Sequence, residues 1–219
     1  MSILQNINKI QQEIKNSESP ASIIVCVSKN RSIDEINEAL NSDINHIAEN
    51  RVQEAQKKFP FLKKSVKKHL IGHLQGNKVK KAVEIFDLIQ SVDSLNLANK
   101  INQTVRKMQK KMEIFLQINI SKDPAKFGFD PDDFLNKFEE ISKLPNLTIT
   151  GLMTILENNG SDESKKNDFE RMKKIFNDCK KINEYSENLK YLSMGMSSDY
   201  MIALDCGSNM IRVGSKIFE

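Results

Sequence analysis

A lysine follows the first strongly apolar run of the chain. Residues 22–30 read SIIVCVSKN, so Lys29 stands two residues beyond the apolar segment 23–27. A lysine is rarely buried without a partner, but its amine can condense with an aldehyde when a pocket removes part of its water. A solvated lysine at a strand end is the commoner outcome. The residue alone therefore leaves a covalent role and a surface role open.

Residues that could receive an anion lie near the C-terminus. The stretch 193–199 reads SMGMSSD, and Gly214 and Ser215 follow the segment MIRV. Serine hydroxyls and the backbone N–H groups of a glycine-containing turn before a helix can bind phosphate. The hydroxyls of Ser193 and Ser197 could equally cap the helix that follows them, and the two roles can coexist. The pattern indicates a phosphate site without excluding simple capping.

Eight short apolar runs recur along the chain, separated by segments with helical spacing. The runs are 22–27, 44–48, 68–73, 86–92, 113–120, 147–155, 190–194 and 209–214. The helical segments are 33–40, 51–58, 77–83, 96–110, 131–143, 164–187 and a short one at 199–206. Near-continuous apolar strands are typical of a parallel sheet covered by helices on both faces. This alternation predicts an α/β fold, a single (β/α)8 TIM barrel.

Two further segments complete the predicted organisation. Residues 1–15 have the spacing of an amphipathic helix, which we expect to fill the place after the last strand of the barrel. The polar stretch 157–168, ENNGSDESKKND, is predicted to be a loop rather than a domain linker. The whole chain, 1–219, is therefore expected to form one domain.

The barrel brings the candidate residues to one face. Functional groups of this fold lie at the C-terminal ends of the strands, and phosphate commonly binds after strands seven and eight. Lys29 follows the first predicted strand, while Ser197 and Gly214 follow the last two. A lysine and a phosphate site on the same rim predict a phosphorylated aldehyde cofactor. Arg212, inside the last apolar run, is either a surface ion pair or a buried group that needs an acceptor.

The composition narrows the classes of function. Hydrophobic residues make up 39% and charged residues 28%, and the 33 basic and 29 acidic residues give a net charge of +4. The two signs are interleaved, so nucleic acid is not indicated as a partner. The apolar runs are too short to span a membrane, and the N-terminal segment does not resemble a signal peptide. We expect a cytoplasmic protein whose three cysteines, Cys26, Cys179 and Cys206, are reduced core residues.

Two suggestive motifs fail on geometry. His69 and His73 have the spacing of a zinc-binding helix, but their segment reads as a strand, in which four residues span roughly 13 Å. No metal site is expected there. The basic cluster 77–81, NKVKK, lacks the interleaved aromatic residues of an RNA-binding surface, and a solvated helix face is the favoured interpretation.

Several longer stretches resemble the pyridoxal phosphate homeostasis proteins, the YggS/PROSC family. They are VCVSKN (25–30), ENRVQE (49–54), HLIGHLQGNKVKKA (69–82), FDLIQSVDSLNLANKIN (86–102), LQINIS (116–121), GLMTI (151–155) and the segment from 192 to the end. The resemblance covers essentially the whole chain. It implies a PLP-binding barrel of the alanine racemase N-terminal type, fold type III, with pyridoxal 5'-phosphate (PLP) as cofactor. Ala48 and Phe127 depart from the family pattern.

The resemblance also assigns roles to individual residues. It implies that Lys29 is the cofactor lysine and that Arg212 faces the pyridine ring. The phosphate-binding residues fall on Ser193, Ser197, Gly214 and Ser215. Asn50 falls beside the ring, although it could equally cap the helix that starts near Arg51.

The implied function is to hold PLP as a Schiff base and to supply or buffer it, without substantial catalysis. The permanent charge of Arg212 cannot accept a proton from the ring nitrogen, which weakens carbanion chemistry. A racemase of this type also needs a second acid/base from a further domain and a partner subunit, for which we expect no residues here. Two alternatives stay open: a racemase-like enzyme with Lys29 as base, and a Schiff-base aldolase. The expected state is a monomer in transient contact with PLP-requiring apo-enzymes.

Overall fold

The computed structural model describes residues 2–17, 19, 22–156, 160–182 and 187–219. Its eight strands are parallel and close into a barrel in the order of the sequence, β1 to β8, with β1 paired to β8. The strands are β1 Ile23–Val27, β2 His46–Glu49, β3 Lys67–Leu70, β4 Leu88–Val92, β5 Met112–Gln117, β6 Leu147–Met153, β7 Tyr191–Ser193 and β8 Met210–Val213. The predicted (β/α)8 barrel is confirmed.

Helices cover the outside of the barrel. They are α1 Ile3–Lys15, α2 Ile33–Leu40, α3 Val52–Lys58, α4 Val79–Ile85, α5 Leu95–Lys107, α6 Phe134–Ser142, α7 Asp162–Cys179, α8 Tyr200–Asp205 and α9 Ser215–Phe218. Short 3-10 turns at Phe59–Phe61 and Gly76–Lys78 complete the described elements. Several helices begin at a serine whose hydroxyl accepts the N–H of the third helical residue, as Ser32 does from Glu35. None of the described helices is long and apolar enough to cross a membrane.

The predicted N-terminal helix lies where the sequence indicated. The side-chain amide of Asn6 on α1 donates to the backbone oxygen of Ile217 on α9, at 3.0 Å. The phenol of Tyr200 on α8 donates to Glu13, and Lys216 donates to that phenol at 2.8 Å. These contacts fix α1 beside the two short helices that flank β8.

Some element boundaries differ from the prediction. Helix α7 begins at Asp162 with Ser161 as its cap, so the second half of the predicted loop 157–168 is helical. It ends at Cys179 rather than at 187; residues 157–159 and 183–186 lie outside the described part of the chain. Strand β5 ends at Gln117 because the chain turns at the rim, although the apolar pattern continues to Ile120.

The barrel has two apolar layers. The larger one lies between the strands and the helices. The inner one fills the barrel with side chains from six strands and from the residue just after β3: Val25, Ala48, Ile71, Leu88, Phe115, Met153 and Met210. Burial on both faces explains why the strands read as continuous apolar runs.

The cysteines belong to the packed interior. Cys26, Cys179 and Cys206 are free and buried. Burial raises the pKa of the Cys26 thiol to about 12, and burial also raises the pKa of Cys179 to about 12. A thiol held protonated is a poor nucleophile, which agrees with their prediction as structural residues.

Candidate cofactor-binding site

A cavity of about 660 Å³ opens at the C-terminal ends of the strands. Loops after β1, β2, β3, β5, β6, β7 and β8 contribute to its wall. Six of the seven residues singled out from the sequence line it: Lys29, Asn50, Ser197, Arg212, Gly214 and Ser215. The structure therefore gathers residues that are up to 186 positions apart in the chain (215 − 29) around one space.

Lys29 is held at the rim by its neighbour. The N–H of Ser28 donates to the backbone oxygen of Ala48 at 3.0 Å, which ties the end of β1 to β2. Lys29 follows in an exposed turn, and Asn30 adopts a φ of 60°, which asparagine tolerates better than most residues. The Lys29 amine makes no hydrogen bond or ion pair with any described residue. The apolar strand β1 is thus followed, two residues later, by an amine that is available to a ligand.

A buried ion pair lies behind the Lys29 turn. Glu49, at the end of β2, is 1% exposed, and its Oε1 accepts from Lys58 Nζ at 2.8 Å and from the Ser28 hydroxyl at 2.9 Å. Lys58 Nζ also donates to the backbone oxygen of Ser28 at 3.0 Å. This pair was not predicted from the sequence, although Glu49 at the end of an apolar run was a signal for it. The pair fixes the turn that carries Lys29.

Asn50 presents an unpaired oxygen within the wall of the cavity. Its backbone N–H donates to Glu49 Oε2 at 3.2 Å, whereas its buried side-chain Oδ1 has no partner among the described residues. The capping alternative is wrong, because α3 begins at Val52 and Arg51 holds the cap position without a side-chain bond. A buried acceptor without a donor is costly, so this oxygen fits a ligand that donates to it.

The backbone passes unusually close to Asn50. A β-carbon placed at Gly72, just after β3, would lie 2.1 Å from the backbone oxygen of Asn50. Only glycine fits this position without moving the chain. The approach sets the spacing of the β2 and β3 loops on one side of the cavity.

The phosphate candidates after β7 and β8 form a compact group. The Ser197 hydroxyl oxygen accepts from the N–H groups of Gly214 and Lys216, each at 3.3 Å. Neither predicted serine caps α8, because Asp199 holds its cap position; the Asp199 carboxylate accepts from the N–H of Met196 instead. The proton of the Ser197 hydroxyl has no acceptor among the described residues. It is available to a ligand oxygen in the cavity.

Arg212 is the charged group in the floor of the cavity. It is 2% exposed, and its Nη1 donates to Ser193 Oγ while its Nη2 donates to the backbone oxygen of Thr154, each at 2.7 Å. Burial lowers the pKa of Arg212 to about 10, and the nearby Asp199 charge opposes that shift. The guanidinium therefore stays charged at neutral pH. Of the two alternatives for Arg212, the surface ion pair is wrong, and the buried arginine with its acceptors is confirmed.

Ser193 does not reach the cavity with the other phosphate candidates. It is the last residue of β7, it is fully buried, and its hydroxyl is already engaged on both sides. The oxygen accepts from Arg212, and the proton is donated to Gln90 Oε1 at 2.8 Å. The prediction of Ser193 as a direct phosphate ligand is therefore corrected: its place in the molecule is beneath Arg212.

An aromatic stack at the mouth of the cavity was not predicted. The rings of His73 and Phe127 lie 3.6 Å apart at an angle of 12°, and His73 Nδ1 lies 2.7 Å from Asp93 Oδ2. Lys126, the neighbour of Phe127, lies 3.6 Å from Asp123 and so has an anionic partner. His69, in contrast, points into the barrel, so the two histidines of the HLIGH motif do not meet.

The donor and acceptor set fits a phosphorylated aldehyde. The free Lys29 amine suits a carbonyl group, the Ser197 proton suits a phosphate oxygen, and the Arg212 guanidinium suits a ring nitrogen that accepts. The unpaired Oδ1 of Asn50 adds an acceptor for a donor group of the ligand. A single cavity thus combines an amine, a cation and a turn with an available hydroxyl proton.

Comparison with known proteins agrees with this chemistry. The family model described as "Alanine racemase, N-terminal domain" matches residues 1–219. A pyridoxal phosphate homeostasis protein of Pasteurella multocida is 33% identical over 227 residues, which cover 100% of this chain and 97% of that protein. The structure of PipY from Synechococcus elongatus with PLP bound has a TM-score of 0.90 at 32% identity and covers 100% of both chains.

A more distant likeness concerns the fold alone. Alanine racemase of Clostridium difficile 630, in complex with cycloserine, has a TM-score of 0.81 at 17% identity, and this chain covers 58% of its length. The matches to the Pasteurella multocida homeostasis protein and to PipY, in contrast, cover nearly the full length of those chains. The chain therefore belongs to the alanine racemase N-terminal domain family and, within it, to the pyridoxal phosphate homeostasis proteins.

Proposed function

We propose that this chain binds PLP covalently through Lys29 and takes part in PLP homeostasis by holding and releasing it, without substantial catalysis. The observation that carries the proposal is the single cavity shared by the free Lys29 amine, the charged Arg212 and the turn at Gly214. The binding of PLP by PipY, a full-length match, supports it.

The phosphate is assigned to the turn after β8. The Ser197 hydroxyl oxygen is fixed by two backbone N–H groups, so its proton is directed away from them. Ser215 lies beside it, and both residues line the cavity. Hydrogen bonds to a charged phosphate are stronger than neutral ones. These groups would hold the phosphate while Lys29 holds the carbonyl end.

The ring is assigned to the space between Asn50 and Arg212. The Arg212 guanidinium is a donor without an acceptor atom, and its two strong bonds to Ser193 and Thr154 fix its plane. Such a group donates to an unprotonated ring nitrogen and cannot take up its proton. PLP, when bound, stabilises negative charge on the α-carbon of an amino acid best with that nitrogen protonated. Arg212 therefore favours storage over catalysis.

A racemase-like enzyme is the alternative. His73 lines the cavity and contacts Asp93, which is an arrangement that could orient a second acid/base. Against it, the His73 ring is stacked on Phe127. We favour the binding role because the stack covers a face of this ring.

The binding proposal is tested by absorbance and mass spectrometry. The purified chain is incubated with PLP, dialysed, and reduced with borohydride, and the modified peptide is identified. We expect a visible band before reduction and a stable modification on Lys29. Modification of Lys126, the other lysine in the cavity wall, or of no lysine would contradict the assignment.

The absence of catalysis is tested by proton exchange. PLP-loaded protein is incubated with alanine, serine or glutamate in deuterated water, and deuterium incorporation is measured by mass spectrometry. We expect little or no exchange. Exchange at ordinary enzyme rates, on the order of 1 s⁻¹, that is lost in His73→Phe would establish the racemase alternative instead.

We also propose that residues 1–219 act as one PLP-binding domain, as a monomer in the cytoplasm, and in transient contact with PLP-requiring apo-enzymes. Three free, buried thiols suit a reducing compartment. The large exposed apolar residues of the described chain lie on four different elements and one loop rather than on one face. Cofactor transfer to an apo-enzyme, followed by its recovered activity, would test the contact.

A further inference from the structure

A row of polar side chains crosses the interior of the barrel. In an otherwise apolar inner layer, His69, Gln90 and Ser193 are fully buried, and Arg212 is 2% exposed. At the opposite end of the row, half-buried His46 borders a second cavity of about 340 Å³ at the N-terminal ends of the strands. These five residues, from β2, β3, β4, β7 and β8, are called the interior chain below.

The interior chain is continuously hydrogen bonded. Arg212 Nη1 lies 2.7 Å from Ser193 Oγ, which lies 2.8 Å from Gln90 Oε1. Gln90 Nε2 lies 2.7 Å from His69 Nδ1, and His69 Nε2 lies 3.0 Å from His46 Nδ1. No member is left without a partner, which buried polar groups require. The interior chain connects the cofactor cavity to the cavity at the N-terminal ends of the strands.

The direction of every bond follows from one end. Arginine only donates, so the Ser193 oxygen accepts and its proton goes to Gln90 Oε1. The amide nitrogen of Gln90 then donates to His69 Nδ1, which carries no proton. His69 is consequently protonated at Nε2 and donates to His46 Nδ1. Both histidines must be neutral for this order to hold.

The surroundings keep both histidines neutral. Burial lowers the pKa of His69 well below its ordinary value, with further contributions from His46 and Lys67. Burial and the charge of Lys67 lower the pKa of His46. Lys67 is paired with Glu113 at 2.6 Å, and Lys15 and Asp43 border the cavity beside His46. The charges that face His46 are therefore of both signs.

We propose that Gln90, His69 and His46 are positioning residues that set the orientation of Arg212 toward the cofactor through Ser193. The inference rests on the proposed PLP binding. A proton on His46 Nδ1 would oppose the proton on His69 Nε2, and the bonds could be restored only if His69 changed tautomer and the Gln90 amide turned over. Ser193 would then receive two donors and lose the acceptor for its own proton. The protonation state of His46, at the N-terminal ends of the strands, thus affects the hydrogen bonds of Arg212.

The test compares two replacements of one residue. His69→Leu removes both bonds of the ring, whereas His69→Gln retains an acceptor for Gln90 and a donor for His46. We expect His69→Leu to weaken PLP retention about tenfold, as loss of support for one charged hydrogen bond would do, and His69→Gln to restore most of it. Equal PLP affinity of the unmodified protein and a folded His69→Leu variant would overturn the inference.

A second measurement needs neither a variant nor PLP. Nitrogen-15 NMR of histidine in the PLP-free protein reports which ring nitrogen carries the proton. We expect His69 and His46 as Nε2–H tautomers at pH 7.5, and a simultaneous change of the His69 tautomer when His46 is protonated. An Nδ1–H tautomer of His69 at pH 7.5 would overturn the chain's direction. Failure of the unmodified protein to bind PLP would instead overturn the proposed function, whatever the tautomer.

Discussion

Lys58 Nζ lies 2.8 Å from Glu49 Oε1 inside the wall of the barrel, where Glu49 is 1% exposed. The same amine donates to the backbone oxygen of Ser28, the residue before Lys29. An ion pair on the helix side of β2 therefore controls the turn on which the cofactor lysine is proposed to sit.

Breaking this pair from one side is expected to destabilise the chain. Lys58→Met leaves the Glu49 carboxylate buried without its cation, which costs about 3 kcal/mol or more of the free energy of unfolding. The double variant Glu49→Gln, Lys58→Met should recover part of the loss because no charge is then stranded. Urea denaturation measures all three proteins. Lys81→Met, which removes the exposed Lys81–Glu84 pair, is the matched control and should change stability by less than about 0.5 kcal/mol; an equal loss in both would contradict the argument.

Replacing Lys29, the proposed cofactor lysine, should abolish PLP binding without unfolding the chain. Lys29 is exposed and has no partner among the described residues, so Lys29→Ala should alter the free energy of unfolding by less than about 0.5 kcal/mol. The visible band of lysine-bound PLP should disappear. Lys126→Ala is the control, because that lysine lines the same cavity and should leave the band in place. A band of normal intensity in Lys29→Ala would point to a different lysine.

Replacing Ser197 and replacing Ser193 are expected to change ligand affinity in different ways. Ser197 lines the cavity, so Ser197→Ala should weaken the binding of PLP by about 1.5–3 kcal/mol. The binding of pyridoxal, which lacks the phosphate, should stay nearly unchanged. Ser193 contacts Arg212 instead, so Ser193→Ala should weaken PLP and pyridoxal alike. Equilibrium dialysis with both ligands measures this contrast. Equal affinity of the unmodified protein for the two ligands would remove the phosphate assignment.

Acid should destabilise the fold through His69. Burial, followed by the charges of His46 and Lys67, lowers the pKa of His69 well below its ordinary value of 6.5. Below pH 6.5 the unfolded chain binds a proton at His69 that the folded chain does not bind. The free energy of unfolding therefore falls as pH falls, by up to about 1.4 kcal/mol per pH unit, until the pH passes the pKa of His69 in the folded chain. Denaturation at pH 8, 7, 6 and 5 should show a steeper fall than in His69→Gln. Parallel curves would show that His69 is not held neutral.

The periodic pattern of the chain was sufficient for the architecture but not for its edges. Eight apolar runs and the helical segments between them predict the barrel, because a strand that is buried on both faces is apolar at nearly every position. Strand ends are less predictable, because residues such as Ile118 and Ile120 remain buried after the chain has left the sheet. Apolar character reports burial, and burial continues into the loops at the rim.

The site shows the same division. Lys29, Ser197 and Arg212 could be placed on one rim from their positions after, or within, predicted strands. Ser193 could not be distinguished from Ser197, because its direction depends on the register of β7 against Met153 and Met210. His46, His69 and Gln90 come together only when β2, β3 and β4 pair, and their link to Ser193 and Arg212 forms only when the barrel closes. No local pattern reports contacts that depend on closure.

The close approach of the backbone at Gly72 predicts which substitutions this position can tolerate. A methyl group there would overlap the backbone oxygen of Asn50 at 2.1 Å, whereas a methyl group at Gly76 would meet the flexible end of Lys100, at 3.0 Å or more. In a library of all single replacements selected for folded protein, codons for other residues should vanish at position 72 and persist at position 76. Two glycines four residues apart would thus carry very different mutational tolerance, and the intolerant one, Gly72, is the one that lines the cavity.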